Sequence, residues 1–91
     1  MPHIHLTYQH NLGLDQAKAR IEDLVQQLKD RLDVNYHWKG NEVEFSRTGA
    51  TGTILVEDKS VTTDVELGLM LAAFKGEIEK QLKSFFDRQL Q

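Results

Sequence analysis

The 91-residue chain contains no cysteine. It therefore has no disulfide framework, no thiolate nucleophile and no cysteine-ligated zinc or iron–sulfur cluster. It has no excess of positive charge: 11 lysines and arginines stand against 14 aspartates and glutamates, a formal net charge of −3. That balance lacks the basic face or stripe of a nucleic-acid binder. No apolar run approaches the roughly 20 residues needed to span a bilayer. The start, Met1-Pro2-His3-Ile4-His5, has neither the basic nor the apolar region of a signal peptide, so the cytoplasm is the expected location. No linker, repeat or low-complexity segment divides the sequence. Its length suits one domain over residues 1–91 with one modest core. Apolar residues at 40% and charged residues at 27% are ordinary for a globular protein and argue against disorder.

What is present is periodicity. Ile4, Leu6 and Tyr8 alternate with His3, His5 and Thr7, the two-residue period of a strand with one buried face. After a connector, Ala17, Ile21, Leu24, Val25, Leu28 and Leu32 mark an amphipathic helix starting near Asp15, with Lys18, Glu22 and Asp23 on its solvated side. Four strands follow. Val34, Tyr36 and Trp38 lead to a two-residue hairpin loop at Gly40-Asn41, then Val43 and Phe45. The chain turns again near Thr48-Gly49-Ala50, with a bulge expected in this glycine-containing stretch, and continues through Gly52, Ile54 and Val56. Asp58-Lys59 turns it into Val61, Thr63, Val65 and Leu67.

Leu67, Leu71, Phe74, Ile78, Leu82 and Phe85 then recur at steps of three and four, the stripe of a long C-terminal helix. The expected fold is α+β: a two-layer sandwich in the order β-α-β-β-β-β-α, with two helices on one face of a mostly antiparallel five-stranded sheet. The other face should be polar.

The candidate chemistry is sparse. His3, His5 and His37 share the polar parity of their strands and could hold a divalent metal; the plainer reading is three solvated side chains. His10 falls in a connector and should be exposed. Glu42, Glu44, Asp64 and Glu66 alternate with apolar residues and should face water, which leaves no buried acid for acid–base work. No serine sits in a nucleophile motif. No catalytic residue and no cofactor is expected. Trp38, Phe45, Ile54 and Phe74 could line a cavity between sheet and helix, or simply form the core. Leu69, Phe86 and Leu90 fall off the helical stripe and could form an exposed surface for a partner.

Several segments together resemble one family. They are the His-Ile-His start, Leu12-Gly13-Leu14 with Ala17, and Tyr36-His37-Trp38 before Gly40-Asn41. Further along come Phe45-Ser46-Arg47, then Gly49-Ala50-Thr51-Gly52-Thr53-Ile54, and Glu66-Leu67-Gly68-Leu69-Met70-Leu71 running into Phe74-Lys75-Gly76-Glu77-Ile78-Glu79. In order and spacing the chain is similar to the polyhydroxyalkanoic acid system proteins of bacteria that store polyester granules, over nearly its whole length. The resemblance implies a part in polyester storage, by granule binding or regulation. It brings no enzymatic activity and no catalytic residues. It also differs from the phasins of the same system, which are long helical proteins.

The expectation is a non-enzymatic accessory protein that binds a granule-associated protein or the granule surface. The alternative is a small apolar-ligand carrier of helix-grip type or a degenerate enzyme, although a 91-residue chain leaves little room for a ligand cavity. A homodimer is expected as well, through open sheet edges, the sheet face around Leu55, or the Phe86 and Leu90 surface.

Overall fold

The computed structural model describes residues 2–90. Strand β1 (His3–Gln9) is followed by helix α1 (Leu14–Leu32). Four strands come next: β2 (Asn35–Lys39), β3 (Glu42–Arg47), β4 (Ala50–Val56) and β5 (Ser60–Leu67). A single helical turn, α2 (Leu69–Ala72), then precedes helix α3 (Lys75–Gln89). All strand pairs are antiparallel and the sheet order is β1-β5-β4-β3-β2. The fold is α+β, as the alternation of apolar residues predicts.

Short loops set the register. Lys39 pairs with Glu42 across Gly40-Asn41, and Arg47 pairs with Ala50 across Thr48-Gly49. Gly40 and Gly49 have φ of 60° and 90°, the left-handed region that glycine enters without a Cβ clash. Pairing runs unbroken from Ala50 to Leu55 on the β3 side of β4 and from Ala50 to Val56 on the β5 side, so the expected bulge is absent. Gly52 instead makes room for the ring of Phe45.

The long C-terminal helix is broken in two. Leu67 ends β5 and is buried there. Gly68 donates its N–H to Gly49 O at 2.8 Å, which ties the strand end to the β3–β4 turn. After α2 the chain turns at Phe74, whose carbonyl accepts the first α3 bond from Ile78 N–H at 2.9 Å. The spacing of three and four continues through this turn, which is why it reads as one helix.

The buried side chains fall into two clusters. The larger joins Ala17, Ile21, Leu24 and Val25 of α1 to Val43, Ile54, Val56 and Val61 of the sheet and to Phe85, Phe86 and Leu90 at the end of α3. The smaller joins Ile4, Val65 and Leu67, with Leu71, Ile78 and Leu82 packed against it. The C-terminal end of α3 lies close to α1, where Arg20 Nη1 donates to Gln89 Oε1 at 3.3 Å. Toward Leu32 of α1 and Phe74 before α3, a gap lies between the helices.

Candidate functional site

That gap is a cleft of about 330 Å³ over the sheet. Leu28 and Leu32 form one wall, Leu71, Phe74, Ile78 and Leu82 the other, and Phe45, Ile54, Val65 and Leu67 the floor. Its volume is within the lower range of small-molecule pockets, so the expected lack of room for a ligand is corrected. Arg47 and Glu77 are the charged residues of its lining. Arg47 is already engaged: its Nη1 donates to Leu32 O at 3.3 Å and its Nε to Thr48 O at 3.1 Å. Beside the cleft, large apolar side chains face water. Leu69 is 89% exposed, Met70 80%, Phe74 55% and Leu32 47%.

Three of the four expected cavity residues, Phe45, Ile54 and Phe74, do line this cleft. Trp38 does not. Its ring lies against α1, with Lys18 Nζ 5.3 Å above the ring centre and its Nε1–H donating to Glu22 Oε1 at 2.8 Å. Tyr36 donates to the other oxygen of the same carboxylate at 2.7 Å. Glu22 therefore leaves the solvated face where helical spacing puts it and anchors α1 to β2. Burial raises its carboxyl, but hydrogen bonds from Tyr36, Trp38 and Gln26 outweigh this and hold it below its ordinary range. The same bond, with burial and the Glu22 charge, pushes the Tyr36 phenol up to about 12.

Of the three residues expected to form a partner surface, only Leu69 is at the surface. Phe86 and Leu90 are each 1% exposed and belong to the larger core cluster. Phe86 packs against Tyr8 and Phe85, with ring centres 5.9 and 6.0 Å apart. The buried face of α3 widens at its end because that end is inserted between β1 and α1. Met70, Leu32 and Phe74 are exposed apolar residues that periodicity missed: Leu32 and Phe74 fit the apolar stripes of their segments, and Met70 sits in a turn that periodicity assigns to a longer helix.

The opposite sheet face carries a straight cross-strand row. His5 pairs with Asp64, Asp64 with Thr53, Thr53 with Glu44 and Glu44 with His37. Asp64, Thr53, Glu44 and His37 of this row border a broad open depression of about 500 Å³. The row also separates the three candidate histidines. β1 and β2 are opposite edges of the sheet, so His37 cannot join His3 and His5 around one ion. His37 Nε2 instead meets Glu44 Oε1 at 2.9 Å. His3 and His5 both reach Asp64 Oδ1, at 3.1 and 2.6 Å. Hydrogen bonds from His5 first and His3 second hold the Asp64 carboxyl below its ordinary value, against an opposing effect of burial.

His10 is buried rather than exposed. Its Nδ1 accepts from Leu12 N–H at 3.2 Å, so the proton is on Nε2, which donates to Glu57 O at 3.0 Å. It pins the β1–α1 connector to the β4–β5 loop, where His10 N–H also bonds Lys59 O at 2.9 Å.

Among the described residues, no helix is long and apolar enough to cross a membrane. A family model described as "Putative polyhydroxyalkanoic acid system protein" matches residues 4–90. Comparison with curated proteins finds no match, and comparison with solved structures finds none either.

Proposed function

The chain belongs to the polyhydroxyalkanoic acid system family, and on that premise we propose that it is a non-enzymatic accessory protein that binds the polyester surface of the storage granule. The observation that carries this reading is the cleft between α1 and α3 with exposed Leu32, Leu69, Met70 and Phe74 beside it. An apolar surface of this kind is costly to leave in water and gains from contact with an equally apolar partner. A polyester presents alkyl groups, and its ester carbonyls accept hydrogen bonds but carry no charge. The lining matches that chemistry, with aliphatic and aromatic walls and only Arg47 and Glu77 charged.

Sedimentation with purified polyester granules tests the reading. The wild-type protein should pellet with the granules, and a variant carrying Leu69→Ser, Met70→Ser and Phe74→Ser should stay in the supernatant. Wild-type protein that remains soluble, or a variant that pellets equally well, overturns it.

A second reading is favoured by the cleft volume and the sheet order. An antiparallel sheet ordered β1-β5-β4-β3-β2, with helices across one face, is similar to the helix-grip arrangement that encloses apolar ligands. In that reading the occupant is a single free hydroxyacyl chain. Titration with a soluble 3-hydroxy fatty acid separates the two: saturable one-to-one binding that shifts the Leu28 and Ile78 methyl resonances supports a carrier, and none supports the granule surface.

Self-association is a further part of the proposal. With Phe86 and Leu90 in the core, the routes left for a homodimer are the open edges β1 and β2 and the exposed Leu55 on the polar face. Light scattering at high micromolar concentration checks it; a monomer there rules it out.

A further inference from the structure

We propose that His3, His5 and Asp64 form a binding site for a divalent first-row transition metal, with Zn²⁺ as the fitting ion. The site is remote from the apolar cleft, on the other sheet face, and does not depend on the granule reading.

His3 and His5 are two residues apart on β1, so both point to the polar face. Asp64 is the register partner of His5 on β5 and lies diagonal to His3. One ligand atom from each of the three residues lies within 4.8 Å of the others. Around a tetrahedral zinc with bonds of about 2.0–2.1 Å, neighbouring donor atoms are roughly 3.3 Å apart. The two nitrogens stand 3.1 and 2.6 Å from Asp64 Oδ1, so a cation could enter with side-chain rotations alone. All three groups are partly exposed, at 46%, 61% and 38%, which leaves room for that movement and for a fourth, water ligand.

The donor set selects the ion. Two imidazoles and one carboxylate suit zinc, copper and nickel, whereas magnesium and calcium prefer all-oxygen shells. As drawn by the present contacts, two imidazole N–H groups compete for one carboxylate oxygen. A metal would take the imidazole lone pairs instead: each ring moves its proton to its other nitrogen, and the cation takes the central position. The two rings bring no formal charge in their neutral form, and Asp64 supplies one negative charge. Glu66, the register partner of His3, adds negative potential nearby.

The experiment uses the untagged full chain, titrated calorimetrically with Zn²⁺ and followed in parallel by the visible absorption of Co²⁺. The expected result is one saturable equivalent, weakened at least about tenfold by His5→Ala and by Asp64→Asn, and unchanged by His37→Ala. Equal binding by wild type and His5→Ala, or no saturable binding at all, overturns the proposal. Because a variant could lose β1 pairing, imidazole resonances of the wild type provide a check without mutation. Zn²⁺ should shift the rings of His3 and His5 and leave those of His10 and His37 in place; the reverse pattern also overturns the site.

Discussion

The ring of Phe45 lies across the backbone of Gly52, its register partner on the neighbouring strand. A Cβ at Gly52 would come within 2.5 Å of the ring edge and 2.6 Å of Asp64 O. The ring thereby covers a strand glycine, and it forms part of the cleft floor. Gly52→Ala should therefore destabilise the protein by about 1–3 kcal/mol, the usual result of overpacking. Gly76, in the first turn of α3, has nothing within 4 Å of the same built atom. Gly76→Ala should stabilise by about 0.5–1 kcal/mol. Urea unfolding of the two variants should move the midpoint in opposite directions. Equal shifts would mean that the contact at Gly52 is not what matters.

Much of this arrangement is legible in the sequence, and the exceptions have physical causes. A strand presents one face at every second residue, and the sheet is half solvated, so Val43, Ile54, Val61 and Val65 declare themselves by alternation. Helix α1 does the same at its own period. The C-terminal segment is harder because Leu67, Leu71, Phe74 and Ile78 keep helical spacing across a strand end, a single turn and a new helix. Propensity does not see the Gly68–Gly49 hydrogen bond that stops β5. Phe86 and Leu90 look superfluous only if the buried face of α3 has constant width. The histidine pair on β1 is legible, but its partner is not: Asp64 is 59 residues from His5, and only the sheet order reveals that they meet.

The Glu22 carboxylate and the Tyr36 phenol predict a stability profile with two limbs. Tyr36 is pushed up from 10.0 to about 12. Its protonated form is favoured by folding, so its contribution is complete below pH 10 and is lost as pH rises toward about 12. Glu22 is shifted the other way. Its contribution is complete above its ordinary value of 4.5 and is lost as pH falls through the lower folded value. Thermal unfolding of wild type, Tyr36→Phe and Glu22→Gln across the pH range checks both limbs. The gap between wild type and Tyr36→Phe should close in alkali, and the gap to Glu22→Gln should close in acid. Gaps that stay constant with pH would show that the hydrogen bonds do not carry the linkage.

Thr63 is fully buried on β5, and its hydroxyl has no hydrogen-bond partner among the described residues. Leaving such a group unpaired typically costs about 1–3 kcal/mol. Thr63→Val keeps the branched shape that suits a strand and removes the oxygen. It should raise the unfolding midpoint by an amount equivalent to about 1 kcal/mol. A lower midpoint would mean that the hydroxyl finds a water or a partner in solution.

Phe86 and Leu69 both lie off the helical stripe, yet substitutions at them should behave in opposite ways. Phe86 is 1% exposed in the larger core cluster, in contact with Tyr8 and Phe85. Truncating a buried phenylalanine typically costs about 3–5 kcal/mol, a large share of the roughly 5–15 kcal/mol that holds a domain together. Phe86→Ala should therefore lower the melting temperature steeply and reduce soluble yield, and any loss of granule binding would follow from unfolding. Leu69 is 89% exposed, and a surface substitution of this kind usually changes stability by less than about 0.5 kcal/mol. Leu69→Ser should leave the melting temperature nearly unchanged while reducing the fraction that pellets with granules. Calorimetric melting and sedimentation on the same preparations separate the two effects. A stable Phe86→Ala protein would contradict the packing at the end of α3. A Leu69→Ser protein that melts early would place Leu69 in a buried contact instead of at the surface.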